Sequence, residues 1–305
     1  MKLVLKSATL AAVVALCGAG YTQELYSPNI SIDDQGITVT PWGSGTIAET
    51  TETANKGSAS IRVSSRNFYQ GGTLTFTKGF DLSKEAGDKS NLLVFSIHAP
   101  TNETVIKGGG KSAGTTSGPG GGTTGAGQTN SPEFEIKALM TKVRCVIITT
   151  DDKRTEVYLD LSNAISNSAG WKTVGVPLVS IPGFTDSNKT IKSIAFSGDT
   201  IATFYIGSIR ILNDTTPLYV EPTVHEMNLA LGDTVTLSAI GSGGSSQLKY
   251  TWDFDASDGV DVDADGQVVK RTFRKPGDYT ITVTVHDVFG LKKPYSNTIH
   301  VVVNP

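Results

Sequence analysis

YTWDFDASDGVDVDADGQVVKRTFRKPGDYTITVTVHDVFG, residues 250–290, decides the fold of the C-terminal part of this chain. Leu248, Tyr250, Trp252 and Phe254 alternate with Lys249, Thr251 and Asp253, the period of a strand with one buried face. Tyr279, Ile281, Val283 and Val285 repeat the pattern against Thr280, Thr282, Thr284 and His286, and Ile299, Val301 and Val303 supply a further strand. Val235, Leu237 and Ala239 place an earlier one over Thr234–Ile240. Pro276-Gly277 and an Asp/Gly-rich run separate these strands with turn chemistry, and nothing in the region carries a helical period.

The landmarks Trp252-Asp253-Phe254, Phe273, Pro276-Gly277-Asp278-Tyr279, Thr282-Val283-Thr284-Val285 and Asp287–Gly290 follow one another in the order and spacing of a PKD (polycystic-kidney-disease) domain. Residues 218–305 therefore resemble that family of immunoglobulin-like sandwiches. One departure is the longer, more acidic loop Asp255-Ala256-Ser257-Asp258-Gly259, where the family usually has Gly-Asp-Gly. The resemblance implies an extracellular spacer or contact module and names no ligand.

The N-terminus agrees with that compartment. Lys2 and Lys6 precede an apolar run from Ala8 to Leu16, with small residues at Gly18, Ala19 and Gly20, so residues 1–20 read as a secretory signal peptide too short to span a membrane. Val14-Ala15-Leu16-Cys17 resembles a lipobox, with Leu16 where a small residue is normally required, and the alternative it raises is a lipid anchor at Cys17. Cleavage removes both lysines and shifts the net charge from −3 to −5. A mildly acidic chain without basic clusters argues against nucleic acid and against anionic membrane surfaces. Cys145 is then the only cysteine, so there is no disulfide framework, and its setting in Val143-Arg144-Cys145-Val146-Ile147 is that of a small hydrophobe in a buried strand.

Residues 21–214 have the size of one large all-β sandwich, closed by the linker Asn213-Asp214-Thr215-Thr216-Pro217. Strands are expected at Thr73–Thr77, Leu92–His98, Val143–Thr150, Thr155–Leu161, Thr173–Leu178 and Ile201–Leu212, within a total of roughly eight to ten. One short helical turn is expected at Asp160–Ile165. Gly57–Val63, Tyr69–Leu74, Trp171–Leu178 and Tyr205–Ile211 succeed one another as in galactose-binding-like jelly rolls, a superfamily that includes many carbohydrate-binding modules. Gly207-Ser208 stands where related domains often carry an Asp pair, which puts a structural calcium there in doubt. Residues 108–130 are Gly, Ser and Thr with almost no apolar side chain, and the expectation is a disordered loop. Gly110-Lys111-Ser112 within it mimics a phosphate loop without the first glycine or the following helix.

Asp261-x-Asp263-x-Asp265-Gly266 copies the first half of an EF-hand calcium loop, with Thr272 in place of the closing Glu, so Asp261, Asp263 and Asp265 are candidate Ca2+ ligands against the alternative of a solvated acidic turn. Trp42, Phe68 and Tyr69 lie near glycines and polar residues and are candidate sugar platforms, because a pyranose C–H face packs on an aromatic face while its hydroxyls seek polar groups. Trp171 and Trp252 read as core. Enzyme signatures are missing: there is no Gly-x-Ser-x-Gly, no His-Glu-x-x-His and no Glu-x-Asp-x-x-Glu, and His98, His225, His286 and His300 are scattered.

The expectation is an all-β, secreted or cell-surface, non-catalytic protein. Its jelly-roll sandwich binds a polysaccharide or cell-surface glycan, and its PKD domain spaces or docks it. The rival reading is a structural or adhesive protein that self-associates or binds protein through sheet edges. A polysaccharide-degrading enzyme comes third.

Overall fold

The computed structural model describes residues 20–100, 104–110, 131–162, 164–257, 259 and 261–305. Residues 1–19 of the expected leader, Cys17 among them, and residues 111–130 of the expected insertion lie outside the described residues. The first half of the chain forms β1 (Gly20–Tyr26), β2 (Ile37–Trp42), β3 (Thr46–Thr50), β4 (Ser60–Ser65), β5 (Gly71–Asp81), β6 (Asn91–His98), β7 (Thr104–Gly110), β8 (Ser131–Ala138), β9 (Lys142–Thr149) and β10 (Arg154–Asp160). Then come β11 (Ile165–Ser166), β12 (Trp171–Pro177), β13 (Thr190–Gly198), β14 (Ala202–Asn213), β15 (Tyr219–Pro222) and β16 (Glu226–Ala230). The chain closes with β17 (Thr234–Ser242), β18 (Leu248–Asp253), β19 (Ala264–Asp265), β20 (Val268–Thr272), β21 (Gly277–Asp287) and β22 (Tyr295–Asn304).

Two sheets make the N-terminal sandwich. One runs β11-β12-β6-β14-β4-β3, with β1 also paired to β14, and the other runs β10-β9-β13-β5-β2. Val143, Cys145 and Ile147 of β9 face Phe95, Ile97, Ile206 and Ile209 of the opposite sheet in one continuous core. Alternation explains most strands, but β6 (NLLVFSIH) is buried on both faces. Leu93, Phe95 and Ile97 enter the core, while Leu92 and Val94 on the other side are covered as well. Burial of each such side chain is worth about 1.5–3 kcal/mol relative to exposure.

Three expectations change here: the N-terminal region has fourteen strands among the described residues, β1 to β14, rather than eight to ten, because short edge pairs such as β11 and the β7–β8 hairpin add to the long ones. The helical turn at Asp160–Ile165 does not form, because Asp160 Oδ1 accepts the Ser162 amide at 2.8 Å and Ile165–Ser166 pair with β12. Gly108–Gly110 do not begin a structureless loop: they extend β7 and pair with β8, Gly110 opposite Ser131. A ladder is made of backbone groups and needs no apolar side chain to form.

A second, separate core draws on residues 218–303. Its sheets are β15-β17-β20 and β16-β22-β21-β18-β19, with β16 parallel to β22 and the remaining pairs antiparallel. Trp252, fully buried, packs at the centre and its indole N–H donates to the Gly266 carbonyl at 2.8 Å.

A buried carboxylate joins the two sandwiches. Asp214, one residue past β14, accepts the Ser245 amide at 2.6 Å and the Thr216 amide at 3.0 Å, and its Oδ2 lies 3.2 Å from Lys292 Nζ. Gly244 (φ 66°) turns the β17–β18 loop over this carboxylate, and a Cβ there would stand 2.2 Å from Asp214 Oδ2. Alongside, Gln247 Nε2 donates to the Gly175 carbonyl at 3.1 Å in a buried bond, and Phe289 of the β21–β22 loop packs on the N-terminal core. Burial pushes the Asp214 carboxyl up, but the bonds from Ser245 and Thr216 and the Lys292 ammonium outweigh it and hold the group below its usual value.

A depressed carboxylate contributes stability that is complete above its unfolded pKa and is lost as pH falls through the lower native one. The junction is therefore expected to hold at neutral pH and to loosen in acid, below about pH 4. Asp214→Ala should cost about 3–5 kcal/mol, because Lys292 is left without its counter-charge in a largely buried site. Scanning calorimetry at pH 7 checks this: the variant should melt lower and in two resolved steps, whereas the parent should melt in one.

Candidate functional site

Strand register assembles the site. Across the outer face of the five-stranded sheet, Tyr158 pairs with Arg144, Arg144 with Ser197, Ser197 with Gly71, and Gly71 with Trp42. These five residues form one row that crosses β10, β9, β13, β5 and β2, about 19 Å long at the usual inter-strand spacing. Ser197 and Gly71 keep the middle of the row low. Gly71 has no alternative, since a Cβ there would fall 1.9 Å from the Phe196 carbonyl oxygen.

The connection from β4 to β5 folds over this floor. Asn67 Oδ1 accepts the Tyr69 amide at 2.9 Å and the Asn67 carbonyl accepts the Gln70 amide at 3.2 Å, which makes a tight turn with an Asx bond. The Phe68 carbonyl at its apex accepts Ser197 Oγ at 2.6 Å and Arg144 Nη1 at 3.1 Å. The Phe68 ring meets the Tyr158 ring edge-on at 5.3 Å. Arg144 Cζ lies 5.5 Å from the Trp42 ring centre and 5.2 Å from that of Tyr69, and its Nε donates to Glu156 Oε2 at 2.8 Å.

Trp42, Phe68 and Tyr69, the three aromatic residues singled out in the sequence, are thus brought together, with Tyr158 as a fourth. Arg144 and Glu156 were not anticipated. Arg144 is largely shielded and its charge is met by Glu156, so its part is to hold the two exposed rings and the turn. The signal for Glu156 and Tyr158 was present in the alternation of Arg154-Thr-Glu-Val-Tyr-Leu, which points both outward and leaves Tyr158 47% exposed. Tyr69 is 66% exposed and Trp42 partly so.

The loops around the row share one end of the sandwich. β2 passes to β3, β4 to β5 and β13 to β14 there, and the β7–β8 hairpin connects His98 to Lys142 at the same end. Asn213 and the Asp214 junction lie at the other end, because β14 runs away from the site. The aromatic platform is consequently at the end of the N-terminal sandwich remote from the linker.

Asp261, Asp263 and Asp265 take separate roles. Asp263 Oδ2 accepts the Phe254 amide at 2.7 Å, Asp265 lies 3.3 Å from Lys249 Nζ, and Asp261 is exposed. Among the described residues, no three His, Cys, Asp or Glu side chains converge closely enough to hold a metal ion. Trp171 is buried, though not in the main core: it packs on the outer face of the seven-stranded sheet against His98 and over Gly207. Burial pushes the Cys145 thiol far up, which removes it as a nucleophile.

Comparisons with known proteins bear on the C-terminal sandwich. Residues 219–303 match the family model of the PKD domain. The C-terminal sandwich is a PKD domain. Its family landmarks do structural work: Trp252 fills the core, and Asp287 accepts the Phe289 and Leu291 amides at 3.3 and 2.9 Å, shaping the loop that meets the N-terminal sandwich. Among solved structures, the chain is similar to the fibronectin(III)-like modules of Clostridium thermocellum CbhA, at 10% identity and TM-score 0.24 over 54% of this chain and 78% of that one. It is similar to three N-terminal domains of the bacteriophage RB49 outer capsid protein Hoc at 13% identity and TM-score 0.22, over 68% of this chain and 59% of that one. A third similarity, at 10% identity and TM-score 0.22 over 53% of this chain and 26% of that one, is to the extracellular domain of the hybrid two-component system BT3049 of B. thetaiotaomicron. Likenesses this weak say nothing of function. A comparison with curated proteins gives no match.

Two outcomes are expected of this geometry. Trp171 and Trp252 are buried and Trp42 is not, so iodide should quench Trp42 alone, and Trp42→Phe should abolish the quenchable fluorescence. Asp263→Ala should lower stability in urea by about 1 kcal/mol with chelator present, the usual worth of one hydrogen bond, because it frees the Phe254 amide.

Proposed function

We propose that this chain is an extracellular, non-catalytic glycan-binding protein. In this reading the N-terminal sandwich, of the galactose-binding-like jelly-roll kind, holds a polysaccharide on the platform of Trp42, Phe68, Tyr69 and Tyr158, and the PKD domain carries it. The observation that supports it is the alignment of Trp42, Arg144 and Tyr158 in one row across an exposed sheet face, with Tyr69 poised over Arg144. Aromatic faces of this size pack on sugar C–H faces, and Ser44, Gln70 and Glu156 around them offer donors and acceptors for hydroxyls. A row about 19 Å long suits several successive sugar units rather than one monosaccharide.

The compartment follows from the same reading. PKD domains are as a rule extracellular modules without catalysis, and no helix among the described residues is long and apolar enough to cross a membrane. The buried junction at Asp214 makes the PKD domain a fixed base, with the platform at the far end.

A glycan array probed with the full chain tests this. Binding to at least one polysaccharide is expected, with Trp42→Ala and Tyr69→Ala each weakening it about tenfold, or about 1.4 kcal/mol. A folded chain that binds no glycan, or whose binding survives both substitutions, overturns it. Self-association by light scattering in that first case would leave the adhesive reading in its place.

A further inference from the structure

A cleft opens on the outer face of the seven-stranded sheet, across the crossover from β2 to β3 from the aromatic platform. It has a volume of about 490 Å3, and its lining includes Ser44, Thr46, Arg62, Ser64, Arg66 and Thr203. Two arginines and, with Ser65, five hydroxyl residues thus line one cleft, and no carboxylate is among them. That is unexpected in a chain whose net charge is −3.

Neither arginine is fully spent on the protein. Arg66 is exposed and has no partner among the described residues. Arg62 Nε lies 3.5 Å from Glu52 Oε2, beyond a good hydrogen bond, and that nitrogen is buried without a partner. Glu52 divides itself between this ion pair and the Tyr205 hydroxyl, which it accepts at 2.8 Å. Ser64 Oγ and Thr203 Oγ1 stand 2.9 Å apart, so the pair retains acceptor and donor capacity toward the cleft.

Platform and cleft lie on the outer faces of the two opposed sheets and meet at the crossovers that join those sheets. Ser44 is two residues from Trp42 and Arg66 two residues from Phe68, each pair at most about 7 Å apart along the chain. Ser44 Oγ bonds Gln70 Oε1, which ties the two crossovers together. A polymer that leaves Trp42 and passes over the Ser44 turn therefore reaches Arg66, a guanidinium that no protein group among the described residues neutralises. Planar guanidinium forks bind carboxylates and sulfates with two parallel bonds, and hydroxyls complete the oxygen shell.

We infer that the polymer bound here is an anionic polysaccharide, whose carboxylate or sulfate group enters this cleft against Arg66 and Arg62 while another part of the chain, across the β2–β3 turn, packs on Trp42. This rests on the glycan-binding reading and adds the charge of the ligand to it.

Affinity electrophoresis of the full chain tests it with two matched pairs of polymers that differ only in charge: polygalacturonate against its methyl ester, and dextran sulfate against dextran. The expected result is retention by an anionic member at least tenfold stronger than by its neutral partner, declining as salt is added. Arg66→Glu should weaken that retention at least tenfold, while the same charge change at exposed Lys78, at the far end of β5, should leave it unchanged. Retention by polygalacturonate alone identifies a carboxylate as the group held, and by dextran sulfate alone a sulfate. Equal retention by both members of a pair, still lost in Trp42→Ala, overturns the inference and leaves the glycan-binding reading standing. Anionic retention that Arg66→Glu does not touch, or no retention by any of the four, overturns it as well. The array separately decides whether the platform binds glycan at all.

Discussion

One register governs the candidate site. In a pleated sheet a shift of one residue turns every side chain to the opposite face, so the row from Tyr158 to Trp42 exists only because five strands are paired in a single frame. The inward residues hold that frame: Cys145, Phe196 and Leu74 are buried in the core next to outward Arg144, Ser197 and Thr73. A slip that exposed Arg144 elsewhere would also push Val143 and Cys145 into water. Core packing, at a few kcal/mol for each large side chain, thereby fixes the geometry of a surface that itself stores little energy.

The platform is held from above as firmly as from below. The Phe68 carbonyl takes two hydrogen bonds, from Ser197 and Arg144, and the turn around it is closed by Asn67. Arg144 ties the β9–β10 hairpin to the β4–β5 connection, remote in sequence, and stacks near two rings. Its guanidinium is planar and always charged, which suits it to sit beside aromatic faces while a carboxylate takes its edge. Preorganisation of this kind lowers the entropy lost when a ligand is bound.

The junction between the sandwiches follows a related logic. Asp214 is removed from water, and only amide donors with the Lys292 ammonium make that tolerable. Ser245 and Lys292 come from loops of the PKD domain, so the carboxylate is fully satisfied only when the two sandwiches are docked. The loops that surround the platform project from the opposite end of the N-terminal sandwich.

The sequence by itself determined the fold class, the PKD domain with its core Trp252, the buried Cys145, and the aromatic residues Trp42, Phe68 and Tyr69 as surface candidates. Each of these follows from local alternation or from landmarks close together in the chain, which the period of a strand makes readable. It did not show β7 continuing through Gly108–Gly110, because a ladder of backbone groups leaves no side-chain pattern. Nor did it show that Asp263 binds the Phe254 amide, that Asp214 locks two domains, or that Arg144, Glu156 and Tyr158 complete the platform. Those were decided by tertiary structure alone, because strand order and register place residues 42, 71, 144, 158 and 197 side by side through contacts that no local window of sequence contains.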